Sequence, residues 1–416
     1  MQPEEPPNMF YVFGIMLLVI STIEWMAFRL VKRRWSQKRW WSTASSIWIV
    51  LTFSLWVCFS LSIYNYEDWT VRLPGFVGLL SMAFFVNFFP KLILAAFQVL
   101  DDFRYTFQFA AKKITKSDKT IPRATFLNYI GAGFAGVAFS GLLYGVVQGK
   151  YDYRVENIKV KLNNLPDAFK GLRIVQISDA HLGSFVGQPK QVLAALQAIN
   201  DQKPDLILFT GDLVNSSSSE AESWIDAFAN LEAPLGKFSI MGNHDYAEYG
   251  EFAPGESEKD VQRLHEIHSE MGFHLMLDEH IKIERDGSQI VLAGVENWSK
   301  RSFGQKGDLD KALHGSNSEK LTTILMTHDP THFEECVMDG KAPVDLTLSG
   351  HTHGMQVGIK IDFLGINYSP AKLLYKRWGG LYTEGRQLLY VNRGFGVLAF
   401  RGRIGMPPEI TVLELA

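Results

Sequence analysis

The chain has 416 residues, of which 20% are charged, with a net charge of -3 and two cysteines. A balance this near neutrality gives no electrostatic reason for nucleic-acid binding. Two thiols can form neither a disulfide framework nor a thiolate metal cluster.

In chain order, the first 150 residues carry hydrophobic stretches at about 10–30, 43–63, 74–100 and 125–147. Each is near or above the ~20 residues a spanning helix needs. They predict four transmembrane α-helices in 1–150. A soluble domain follows in 151–416, which at roughly 260 residues is large enough for one sizeable core. The first stretch is not a cleavable signal peptide, because no Lys or Arg precedes Arg29 and a signal needs a basic start. Glu24 lies inside it, with no second buried charge in view to complete an ion relay. In the fourth stretch, Ala132, Gly136 and Ser140 recur at four-residue spacing, as do Gly141 and Gly145, a pattern that lets helices approach closely. Between the third and fourth, 101–124 places Phe103, Phe107, Ala111 and Ile114 on one face among lysines. That predicts a basic amphipathic helix on a membrane surface.

Basic residues are distributed unevenly around these spans. Lys32, Arg33, Arg34, Lys38 and Arg39 lie between the first two; Arg104, Lys112, Lys113, Lys116, Lys119 and Arg123 lie between the last two. The N-terminal tail has no Lys or Arg and the loop 64–73 only Arg72. The positive-inside rule then places both basic loops in the cytoplasm of a multi-pass cell-membrane protein, and the soluble domain on the non-cytoplasmic side.

In the soluble part, apolar strand-like runs end in short polar motifs. "LRIVQIS" runs into Asp179 and His181, and a helix at 189–201 follows. "DLILFT" runs into Gly211-Asp212, and a second helix is expected at about 219–231. "KFSIM" leads to Gly242-Asn243-His244-Asp245, and 281–297 reads as a hairpin turning at Asp286-Gly287. "LTTILMT" ends at His328, "VDLTLS" at Gly350-His351-Thr352-His353, and the last strands are "RQLLYVNRG" and "EITVLEL". In a strand, i and i+2 side chains point the same way, so His351 and His353 can aim at one point. Carboxylate, imidazole and amide side chains thus gather at the carboxyl ends of strands, where open α/β sheets place their sites.

Asp179, His181, Asp212, Asn243, His328, His351 and His353 offer seven nitrogen or oxygen donors. One catalytic ion needs about three or four. Seven suit two ions with one carboxylate bridging, the arrangement used for in-line displacement at phosphorus. Donors without thiolate suit manganese, iron or zinc as the divalent metal. His265 and His268 read as a solvated helix face, and His274, His280, His314 and His332 carry no motif.

The ordered set Asp179-x-His181, Gly211-Asp212, Gly242-Asn243-His244-Asp245, His328 and Gly350-His351-x-His353 resembles the calcineurin-like metallophosphoesterases. The flanking "SDAHLG", "PDLILFTGDLV", "SGHTHGMQ" and "YVNRGFG" are similar to their membrane-associated bacterial branch. The resemblance covers about 155–416 and implies a four-layer αββα sandwich with a dinuclear centre. Asp179, His181, Asp212 and His353 would hold one metal; Asp212, Asn243, His328 and His351 would hold the other. His244 would be catalytic without being a ligand, contacting the phosphate and assisting the leaving group. One departure stands out. Phosphoprotein phosphatases of this superfamily carry a second Asp three residues after the Gly-Asp carboxylate, and here that position is Asn215. An amide cannot stabilise an imidazolium by charge, which argues against a protein phosphatase.

The function expected is hydrolysis of a phosphoester or pyrophosphate bond by an enzyme tethered to the lipid bilayer. The substrate expected is a lipid or lipid-linked phosphate, since the segment "PAKLLYKRWGG" mixes Leu373, Leu374, Tyr375 and Trp378 with Lys372, Lys376 and Arg377. The alternatives are a soluble phosphodiester or nucleotide-sugar, and a non-catalytic regulatory domain on a membrane protein. Oligomeric state has no sequence signature here.

Overall fold

The computed structural model describes residues 9–64, 74–115, 125–185, 187, 189–361 and 365–416. The chain divides into two units, Met1–Tyr144 and Gly145–Ala416.

The first unit is helical: α1 (Met9–Trp35), α2 (Trp41–Tyr64), α3 (Pro74–Thr115) and α4 (Thr125–Val147), the last running on into the second unit. Among the described residues three helices are long and apolar enough to span a bilayer, at Trp41–Leu61, Phe76–Thr115 and Phe126–Val147. Their apolar residues point largely outward, with none of the first window and only 39% and 17% of the others buried. Helices satisfy their own backbone groups, so such a surface suits lipid.

Three expectations for this unit are corrected. Residues 101–115 are not a separate surface helix, because α3 runs unbroken through Pro90 to Thr115. No Pro or Gly interrupts it there, and the buried Asp101 takes Arg33 and Arg104 as partners. Residues 116–124 and the loop 65–73 lie outside the described residues. Glu24 does have a charged partner: Lys91 of α3 lies 3.0 Å away, donates to Thr52 Oγ1 and sits over the Trp48 ring. A lysine within an apolar run was the partner the sequence concealed. Nor does the small-residue face pack along its length, since Gly136 and Gly141 have open space around them and only Gly145, at the end of the helix, is closely covered, by Arg403 and Ile404. Packing occurs instead through Gly131, Ala135 and Leu142, with Gly131 tight against Phe97.

The second unit is a four-layer sandwich. One six-stranded sheet has the order β1 (Arg154–Val160), β14 (Glu409–Leu415), β2 (Arg173–Ile177), β3 (Leu206–Thr210), β4 (Lys237–Ile240), β5 (His274–Leu275). The other has the order β12 (Gly380–Glu384), β13 (Gln387–Val391), β9 (Leu346–Ser349), β8 (Thr323–Met326), β7 (Ser288–Gly294), β6 (Glu279–Arg285). Alternation along the strands builds three cores. Ile174, Leu206 and Leu208 face inward against Leu292, Ile324 and Leu348 of the opposite sheet. Val175, Ile207 and Phe209 face outward against α5 (Lys190–Asp201), α6 (Ile225–Ala229) and α7 (Glu256–Glu270). Ala293, Leu325 and Leu389 pack under α8 (Leu309–Leu313) and the segment at Phe333–Val337.

The hairpin turns where expected, with Asp286 and Gly287 both at positive φ (49° and 74°) between Arg285 and its partner Ser288. The helix expected at 219–231 is only short turns and the five residues of α6. A separate two-stranded hairpin, β10 (Ile359–Ile361) with β11 (Ile366–Tyr368), is not among the elements the sequence pattern predicts.

His268 is not on a solvated face. It is buried in α7 against Phe209, while His265 is half-buried. Burial, then the nearby His265, pushes its imidazole down to about 3. An unfolded histidine titrates near ~6.5, so below that value the unfolded chain binds the extra proton and the fold loses stability as pH falls. One such group contributes up to about 1.4 kcal/mol per pH unit. Thermal melts of the full chain in detergent between about pH 7 and about 4.5 should show wild type losing more stability than His268→Leu. Parallel losses would contradict a buried, neutral His268.

Candidate metal centre

The loops after β2, β3 and β9 leave their strands through left-handed backbone. Asp179 (φ 53°), His181 (43°), Asp212 (60°), His351 (71°) and His353 (50°) all have positive φ. Such conformations cost of order 1–3 kcal/mol each and persist only where the surroundings impose them. Glycines make room for this convergence. A Cβ at Gly242 would collide with Asp212, and one at Gly350 with Ser178 and the Asp179 carboxylate. His351 and His353 therefore do not point the same way as strand neighbours. Both lie beyond the end of β9, and they join different groups of donors.

Asp179, His181 and His353 form one group, and Asp212, His328 and His351 the other, with donor atoms in each within 4.8 Å of one another. Asp212 Oδ2 lies between them, 3.5 Å from His181 Nε2 and 3.2 Å from His328 Nε2. His353 Nε2 is 3.1 Å from His181 Nε2 and 3.2 Å from Asp179 Oδ1. Tautomers follow from the outer partners. His181 Nδ1 donates to the Val214 carbonyl and His328 Nδ1 to the Thr210 carbonyl, which turns each Nε2 lone pair inward, as metal-ligating histidines do. Asn243 fits the same pattern. Its amide nitrogen donates to Tyr249 Oη at 3.0 Å, while its buried Oδ1 has no hydrogen-bond partner among the described residues. Several inward lone pairs and an orphaned carbonyl oxygen around one point fit divalent cations.

Without an ion, Asp212 and His328 form a charged pair, and a cation bound there would have to replace the proton on His328 Nε2. Burial opposes ionisation of Asp212, yet His328 and His244 hold its carboxyl well below the usual range. Burial alone would lower His328, but the Asp212 carboxylate pushes it up to about 10. His181, with burial dominant, is pushed down to about 3.

Sequence reasoning missed several supporting residues. Asp245 is wholly buried and accepts four backbone N–H groups, from Asp212, Leu213, Val214 and Gly242, at 2.8–3.2 Å. It thereby ties the loop after β3 to the loop after β4. The "GNHD" motif carries this signal in its last residue, for which the pattern alone gives no role. Asp329 is buried and accepts from Ser299 and Thr331, with His351 Nε2 3.3 Å away. Tyr375 Oη lies 2.8 Å from the same nitrogen, so Nδ1 of His351 is the atom that faces His328, at 3.2 Å. Arg403, fully buried, donates to carbonyls of Arg393, Gly394 and Gly396 and lies 3.4 Å from His353 Nδ1.

His244 is half-buried and stacks on Tyr249, with ring centroids 4.1 Å apart. Its Nδ1 meets the main-chain carbonyl of Asn215 at 2.7 Å. The Asn215 side chain does not serve it, being engaged with Ser184. In "PAKLLYKRWGG", Tyr375 and Trp378 are buried in a small core with Ala371 and Met406, and Arg377 pairs with Glu334 and Glu384. Only Leu373 and Leu374 remain exposed among its large apolar residues.

Residues 172–355 match the family described as "Calcineurin-like phosphoesterase". Residues 8–150 match "Probable Calcineurin-like phosphoesterase, transmembrane domain". The metallophosphoesterase YkuE of Bacillus subtilis (strain 168) is 32% identical over 304 residues, which are 71% of this chain and 98% of the relative. The chain belongs to the calcineurin-like metallophosphoesterases. A metallophosphoesterase of Helicobacter pylori (strain ATCC 700392 / 26695) is 26% identical over 96% of both chains, so likeness extends into the transmembrane part. The "Transmembrane protein with metallophosphoesterase domain" of Danio rerio is 30% identical over 66% of this metallophosphoesterase, which spans only 60% of that relative. Among solved structures, a 5'-nucleotidase precursor from Thermus thermophilus is similar at TM-score 0.36 and 12% identity, over 59% of this chain and 54% of that one. A likeness that low carries no argument about substrate.

Proposed function

We propose that this membrane metallophosphoesterase hydrolyses the phosphoester or pyrophosphate bond of a lipid or lipid-linked phosphate, using two divalent ions. Asp179, His181, Asp212 and His353 would hold one ion, and Asp212, Asn243, His328 and His351 the other. The observation that carries this reading is the position of Asp212 Oδ2 between His181 and His328. When bound, such ions supply a hydroxide at neutral pH and offset charge on the phosphoryl oxygens. His244 presents Nε2 toward the reacting group, since Nδ1–H is pinned by the Asn215 carbonyl. A proton at Nε2 serves the departing oxygen. Its Nδ1 partner is a neutral carbonyl, so no carboxylate orients the ring through that nitrogen.

The lipid substrate is favoured by the tether. Between the end of α4 at Val147 and the start of β1 at Arg154, the chain can reach ~20 Å at ~3.3–3.6 Å per extended residue. A catalytic domain so held meets a lipid at high effective concentration, and a soluble ester at none above bulk. The basic loops between spans put the catalytic domain on the non-cytoplasmic side. A reporter fused after Ala416 and active only in the cytoplasm would overturn that side. For the substrate, catalytic efficiency on a lipid phosphate in mixed micelles should exceed that on its water-soluble headgroup analogue by at least about tenfold. Equal efficiency would favour the second reading, a soluble phosphodiester or nucleotide-sugar met by an enzyme that is only localised by its membrane part.

A further inference from the structure

We infer that the β10–β11 hairpin and the turn after it form a second membrane contact, a surface that enters the lipid interface beside the metal centre. The hairpin joins neither six-stranded sheet. Its two faces differ. Ile359 pairs with Tyr368, and Ile366 lies two residues from Tyr368 on the same strand face. Ile359, Tyr368 and Ile366 are 54%, 49% and 41% exposed. On the other face, Lys360, opposite Asn367, reaches Glu156 of β1 at 2.5 Å and pins the hairpin to the domain. Met355 before the hairpin, and Leu373 and Leu374 after it, extend the exposed apolar surface.

The membrane is the occupant that the contacts favour. At the base of the hairpin, Gly358 N donates to Ile404 O, and the next residue back, Arg403, donates its N–H to Gly145 O at 3.0 Å. Gly145 belongs to the second unit and to the last turn of α4, whose candidate span is Phe126–Val147. The apolar surface is thus one short segment away from the end of a helix suited to crossing a bilayer. Its polar complement also fits. Lys372 and Lys376, both exposed, flank Leu373 and Leu374, and lysines beside buried apolar groups can meet anionic headgroups while their stems stay in contact with acyl chains. Tyr368 supplies the amphipathic ring common at such interfaces. An exposed cluster of large apolar residues marks an interaction surface more often than chance exposure. Its placement matters for the enzyme, because the chain carries His353 just before the hairpin and Tyr375, the partner of His351, just after it. A hairpin seated in the headgroup layer fixes the depth of the metal centre.

The test uses the full chain in vesicles of phosphatidylcholine and phosphatidylglycerol, with Cys58→Ser and Cys336→Ser as background. An environment-sensitive fluorophore is attached at Ile366→Cys, at Leu373→Cys, whose side chain is 80% exposed and so gives up little packing, and at the exposed control Lys259→Cys. Blue-shifted emission at 366 and 373, quenched by brominated acyl chains severalfold more than at 259, is the expected result. Equal quenching by aqueous iodide at all three positions would overturn the inference. So would shielding at 366 that tracks protein-to-lipid ratio without acyl-chain quenching, the signature of a second copy. Neither measurement depends on catalysis, so it stands or falls apart from the lipid-substrate reading.

Discussion

Asp212→Asn is expected to abolish hydrolysis and to lower metal occupancy at both donor groups together. Its Oδ2 faces His181 in one group and His328 in the other, and an amide oxygen is a far weaker ligand than a carboxylate. Loss of several kcal/mol of charge stabilisation at phosphorus corresponds, at ~1.4 kcal/mol per decade, to about a thousandfold or more in turnover. His244→Ala should behave differently. It should keep its metal and lose turnover by about a hundredfold to ten-thousandfold, the range for a positioned general acid. Metal analysis of the purified variants beside a hydrolysis panel separates the two roles. If His244→Ala loses metal as Asp212→Asn does, His244 is a ligand and its assignment as acid is wrong.

Asp245→Asn should be nearly as damaging without touching a metal or a substrate. The carboxylate accepts N–H groups from Asp212, Leu213, Val214 and Gly242 inside the protein. The amide replaces one acceptor oxygen with a donor aimed at other donors, and each buried N–H left unpaired costs about 1–3 kcal/mol. A loss of about 3 kcal/mol of stability is expected, together with weaker metal binding, because the left-handed Asp212 turn is held by these bonds. Thermal melts and metal titrations with and without added manganese check this. Unchanged melting with unchanged metal affinity would mean that other contacts hold the turn.

Much of the site was legible because its donors lie in short motifs at the ends of apolar runs. Strand, turn and ligand are local in sequence, and a strand that runs into Asp179 or Asp212 reads the same before and after folding. Less local features were lost. Asp329, Tyr375 and Arg403 act on His351 and His353 from 22, 24 and 50 residues away, and no spacing rule connects them. The Asn215 side chain does not orient His244, because the backbone carbonyl of the same residue takes that place. His268 escapes a sequence reading because periodicity gives a face of α7 without saying what covers it, and Phe209 of β3 does so.

The membrane part divides in the same way. Length and hydropathy mark the spanning helices, since a bilayer demands little more than a long apolar helix. Which faces pack was decided only by contacts, through Gly131 against Phe97 and Lys91 against Glu24. By itself, then, the sequence determined the transmembrane and α/β architecture and the metallophosphoesterase family, both of which follow from local pattern. Only the tertiary structure decided that β14 slots between β1 and β2, that His351 and His353 fall in separate groups of donors, and that β10 and β11 pair apart from both sheets. Those outcomes depend on burial and left-handed turns imposed by distant segments, and free energy of that kind is settled by the whole fold.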